Sequence, residues 1–112
     1  MFDFGKELKK LFGWSQDVED LGWLELIGPD LLAREARTQC TDAGRVSCAK
    51  PFIGWMRGAI LWREHARRAG SADSLNRAFT AAGDARRAAR TPDEVVRADI
   101  ETALCLMSRF DL

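Results

Sequence analysis

Residues 51–70 read PFIGWMRGAILWREHARRAG, and two breaks that follow, Gly70-Ser71 and Thr91-Pro92-Asp93-Glu94, divide the second half of the chain into three segments of helical period. In the first, Phe52, Trp55, Met56, Ala59, Ile60, Trp62, the stem of Arg63 and Ala66 make an apolar stripe broad enough to meet two neighbours at once. This spacing predicts a central helix over 51–69, ended by Gly70. From Ser71 the next stripe, Leu75, Ala78, Phe79, Ala82, Ala85 and Ala89, is narrow and built mostly of alanine. Side chains that small let two helices approach closely, so this segment is expected against the central helix.

The sharpest local signal is Thr91-Pro92-Asp93-Glu94. Threonine is suited to cap a helix and proline to its first position, while Glu94 is placed to return a hydrogen bond to the threonine N–H. The last helix therefore begins there, and Val96, Ile100, Ala103, Leu104, Met107 and Phe110 form its apolar set. The expected core of the second half is Trp55, Ile60, Trp62, Phe79, Ile100, Leu104 and Met107.

Working back toward the start, Pro29 stands where a helix opens, and Leu32, Ala36, Cys40 and Ala43 follow at helical spacing before Gly44. Gly44 is expected to close that helix in a left-handed conformation. Residues 15–27 carry a second acidic amphipathic pattern, capped by Ser15. Residues 2–12 place Phe4, Leu8, Leu11 and Phe12 on one helical face. The reading is an all-α fold of five to six helices in antiparallel hairpins, either an irregular bundle or a solenoid fragment. Residues 1–14 make an amphipathic N-terminal helix and residues 15–112 a single helical domain.

Arg57-Gly58-Ala59-Ile60-Leu61-Trp62, Ala69-Gly70-Ser71-Ala72-Asp73, Leu75, Ala78-Phe79-Thr80-Ala81-Ala82 and the fresh helix after Pro92 carry a family resemblance. Over residues 57–107 the chain resembles tetratricopeptide-type repeat proteins with a lengthened connection between the helices of a unit. The resemblance implies stacked helical hairpins that present surfaces rather than perform chemistry. It also implies that Gly58 and Ala78 sit where paired helices cross.

Composition narrows the function classes. The chain has 112 residues, 46% of them hydrophobic, which suits one domain with a real core. Its formal charge is zero, so no global field draws it to nucleic acid or an anionic membrane. Charge is instead segregated: residues 57–90 hold eight arginines against three acidic residues, and residues 15–38 hold six acidic residues against two arginines. Three cysteines, an odd number, and a first segment without the apolar core of a secretory signal favour reduced thiols in a cytoplasm.

No arrangement of residues points to catalysis, a cofactor or a metal. His65 is the only histidine, so a two-histidine metal site cannot form within one chain, and a surface or boundary role is expected for it. Cys40 and Cys48 are eight apart, outside metal-ligand spacings, and Cys105 lies on the apolar side of its helix. No phosphate loop or nucleophile elbow is present. The expected function is non-enzymatic: an adaptor or regulatory module that binds another protein or a second copy of itself. The partner-binding candidates are the N-terminal set Phe4, Leu8, Leu11, Phe12 and Trp14, and the arginine rows Arg63 with Arg67 and Arg86 with Arg90. The alternative is a peripheral membrane protein anchored by residues 1–14, and a third reading, nucleic-acid binding through the arginines, is disfavoured because no aromatic residues interleave with them.

Overall fold

The computed structural model describes residues 27–111. Four α-helices account for most of them: α1 (Pro29–Ala43), α2 (Pro51–Ala69), α3 (Ala72–Ala88) and α4 (Pro92–Ser108), followed by a short 3-10 turn at Arg109–Asp111. The all-α class holds, with four helices among the described residues instead of five or six. The two amphipathic segments expected over 2–12 and 15–27 lie outside the described residues, apart from Ile27.

Proline opens three of the four helices: α1 at Pro29, α2 at Pro51 and α4 at Pro92. Its missing N–H falls where a helix has no acceptor to offer, and its fixed φ already suits the first turn. The Ser71 hydroxyl accepts a hydrogen bond from the Ser74 amide, and the Thr91 hydroxyl one from the Glu94 amide at 3.2 Å. The Glu94 carboxylate returns to the Arg90 amide at 2.8 Å, one residue earlier than the reciprocal bond to Thr91 that the sequence suggests. Gly70 is left-handed, with φ of 62°, and closes α2 as expected. Gly44 is not: its φ of −77° keeps it right-handed, and its amide reaches the Cys40 carbonyl as one more helical turn.

The central helix is α2, packed between α1 and α3, and both crossings depend on small residues. A methyl group on Gly54 would lie 2.8 Å from the Ala43 Cβ, and one on Gly58 would fall on the Cys40 Sγ. The two glycines, one helical turn apart, therefore let α1 lie directly against the α2 backbone. Gly58 thus sits at the α1 crossing, whereas Ala59, Ala81 and Ala82 form the close contact between α2 and α3. Around these crossings Leu32, Phe52, Met56, Ile60, Leu61, Trp62 and Leu75 fill the core. A fully buried leucine such as Leu32 or Leu61 contributes about 1.5–3 kcal/mol relative to exposure.

Helix α4 is attached differently. The expected core residues Ile100, Leu104 and Met107 face solvent, and the buried positions are Ala98, Glu101 and Cys105. The reason is pairing: Glu101, only 3% exposed, receives the Arg63 guanidinium of α2 in a two-pronged ion pair at 2.7 and 3.1 Å. The Cys105 thiol donates to the same carboxylate at 3.8 Å. A two-pronged bond between fork and carboxylate is stronger than a neutral hydrogen bond, and here it lies on the small face of α4 that is turned inward.

Candidate functional site

Turning that small face inward leaves the large one outside. On α4 and the turn after it, Val96, Ile100, Leu104, Met107 and Phe110 are 55, 55, 37, 64 and 91% exposed. Their spacing of three or four residues aligns them on one side of the helix, with Leu106 at its edge. Single exposed leucines are ordinary, but a contiguous apolar stripe of a few hundred Å² on a folded chain is the usual mark of a contact surface. At the C-terminal end the Arg109 guanidinium lies over the Phe79 ring at 5.0 Å, tying the turn back to α3.

A second feature runs between α1 and α3 across α2. One stretch of it is an open cleft of about 630 Å³ lined by Asp30, Arg34 and Arg37 of α1, Trp62 and His65 of α2, and Asp73, Ser74 and Arg77 of α3, among others. Arg37 and Arg77 both lie over the Trp62 ring, 5.6 and 5.1 Å from its centroid. His65 stands edge-on to the same ring, and its Nδ1 is 2.7 Å from the Ser74 hydroxyl. The boundary role expected for His65 matches this half-buried position. The cleft continues past Trp62 and Arg77 into a shallower space of about 370 Å³ floored by Trp55 and Ala81.

The arginine rows do not stand together as one free band. Arg63 is committed to Glu101, Arg67 shares Glu64 with Arg68, and Arg86 pairs with Asp99 of α4 at 2.9 Å. Arg90 is exposed at the α3–α4 link. Burial alone would lower the affinity of the Arg63 guanidinium for its proton, but the bonds and charge of Glu101 outweigh it and hold the pKa above the ordinary arginine value. Glu64 responds likewise: burial pushes its carboxyl up, yet its bonds to Arg67 and Arg68 bring it below the usual carboxylate range. The N-terminal candidates Phe4, Leu8, Leu11, Phe12 and Trp14 lie outside the described residues.

All three cysteines are free thiols. Burial pushes Cys40 up to about 11, aided by the charge of Asp84, and Cys105 to about 12, aided by Glu101. Neither is a nucleophile near neutral pH. No group of three or more His, Cys, Asp or Glu residues able to hold a metal occurs among the described residues, and none of their helices is long and apolar enough to cross a membrane.

No family model, curated protein or solved structure matches this chain. Sequence reasoning missed two features: the inward turn of Glu101 and the meeting of Arg34, Arg37 and Arg77. The first had a signal, because Ala98, Glu101 and Cys105 are themselves at helical spacing. The second had none, since Arg37 and Arg77 are forty positions apart and only the packing of three helices brings them to one ring.

Proposed function

We propose that the chain is a non-enzymatic interaction module that recognises another polypeptide through the outer face of α4. The observation that carries this reading is the exposed stripe Val96, Ile100, Leu104, Met107 and Phe110 on a helix fixed from behind by Arg63 and Glu101. Such a face fits an amphipathic helix of a partner, which would cover the same three-and-four spacing. The charged positions beside it, Asp93 with Arg97 and Asp99 with Arg86, would form a polar rim around an apolar centre.

Site-specific photocrosslinking tests the reading. A benzoyl-phenylalanine at position 107, introduced in the native host, is expected to trap one dominant protein adduct that is lost with Ile100→Asp. The same probe at Val46, fully exposed in the α1–α2 link, serves as the control. Adducts confined to lipid, adducts confined to residues 1–26 of the same chain, or labelling no different from that at Val46 would each overturn it.

A further inference from the structure

The cleft between α1 and α3 gathers positive charge from separate helices. Arg34 and Arg37 enter from α1, Arg77 from α3, and the first turn of α3 at Ser71–Ser74 ends in the same space. Of the carboxylates there, Asp73 is held by Arg77 at 3.0 Å. Asp30 is four residues before Arg34, the spacing at which helical ion pairs form, yet the two are unpaired. Arg34 and Arg37 have no carboxylate partner among the described residues. Elsewhere on this molecule the habit is the reverse: Arg45, Arg63, Arg67, Arg68, Arg86, Arg87 and Arg97 all have acidic partners.

The guanidinium carbons of Arg37 and Arg77 can be no more than about 11 Å apart, since both are within 6 Å of one ring centroid. Planar forks approaching from two walls suit a tetrahedral dianion better than a planar carboxylate, because each fork can engage a different pair of oxygens. The amides of the first turn of α3 that the Ser71 cap leaves open favour negative charge in the same place. At about 630 Å³ the cleft is much larger than one phosphate and falls in the range of small-molecule sites. Trp62 is 4% exposed and approached by two arginines, so its ring has no face free to stack a base, and the half-buried Trp55 lines only the adjoining shallower space, which Arg34 and Arg37 do not line. The remaining lining, Ser71 and His65, offers hydrogen bonds instead.

We infer that this cleft binds a soluble phosphate monoester with a hydroxylated, non-aromatic body, of the sugar-phosphate class, its phosphate held by Arg34, Arg37 and Arg77. The site is separate from the α4 face, and neither reading depends on the other.

The test is a titration of the full chain, followed by amide NMR shifts and calorimetry, with inorganic phosphate, glucose 6-phosphate and adenosine monophosphate as probes. Saturable shifts are expected at Arg34, Arg37, His65 and Ser71–Arg77, with glucose 6-phosphate the tightest of the three. Arg37→Gln combined with Arg77→Gln should weaken it at least about tenfold, as expected for losing charge-assisted bonds, while Arg86→Gln leaves it unchanged. Arg34→Gln provides a second, independent variant, and unchanged helical circular dichroism establishes that each variant is folded. Absence of saturable shifts at millimolar probe, equal binding by wild type and the double variant, or shifts spread over every arginine would overturn the proposal. Tighter binding of adenosine monophosphate, or binding only to vesicles containing phosphatidic acid, would overturn the assigned ligand class.

Discussion

Arg63 and Glu101, thirty-eight residues apart, are joined by two hydrogen bonds that clasp α2 to the hidden face of α4. Removing one partner strands the other. Glu101→Ala should destabilise the chain by about 3 kcal/mol in urea unfolding, because a half-buried guanidinium would lose its counter-charge. Replacing both, Arg63→Met with Glu101→Leu, should return stability to within about 1 kcal/mol of wild type. A double variant no better than the single one would show that the pair does not act as a unit.

The α1–α2 contact makes a contrasting prediction. Alanine normally stabilises a helix interior relative to glycine by roughly 0.5–1 kcal/mol. At Gly54 the added methyl meets Ala43, whose Cβ has no rotamer to yield, so the helices must separate. Gly54→Ala should therefore lower stability by about 1–3 kcal/mol. At Gly58 the obstacle is the Cys40 side chain, so Gly58→Ala should be harmful alone and substantially relieved by Cys40→Ala. Thermal denaturation of the three variants checks both.

Alkaline pH should weaken the fold through its thiols. An unfolded cysteine ionises near its ordinary value of 9.0, whereas Cys40 and Cys105 keep their protons to about 11 and about 12 in the fold. Above pH 9 the unfolded chain thus releases protons that the folded chain retains, and stability falls as pH rises. Burial lowers Arg57 to about 10, which acts in the opposite sense above that value, so the decline is read between pH 9 and 10. In the same range a thiol reagent should modify Cys48, half-buried in the α1–α2 link, well before Cys40 or Cys105. Equal rates at all three would contradict the raised thiols of Cys40 and Cys105.

Charging the outer face of α4 should separate folding from recognition. Ile100→Asp and Val96→Asp alter side chains that face solvent, so unfolding free energies should stay within about 0.5 kcal/mol of wild type. The crosslinked adduct at this face should nevertheless disappear. Loss of folding in both variants would mean that the stripe is covered within the chain.

Much of the fold was legible because the helix ends carry chemistry that acts locally. Pro29, Pro51 and Pro92 mark three starts, Ser71 and Thr91 cap two, and Gly70 supplies the one left-handed closure, so the four described helices fall where their sequence signals place them. The orientation of α4 was not legible, since ranking residues by apolar size favours Ile100 and Met107 over Glu101. A buried carboxylate becomes favourable only when a distant arginine reaches it, and periodicity within one helix contains no information about Arg63. The same holds for the cationic cleft, whose residues share no segment.

The two-residue link at Gly70–Ser71 also bears on how the chain acquires its shape. Helices α2 and α3 are neighbours in sequence as well as in space, so their alanine seam can close with little loss of chain entropy. A nucleus at that hairpin, with α1 and α4 adding to it from either side, is the expectation from so short a closure. Substitutions in the seam, such as Ala59→Gly or Ala82→Gly, should slow refolding in stopped-flow experiments, whereas loss of the Arg63–Glu101 clasp should chiefly accelerate unfolding.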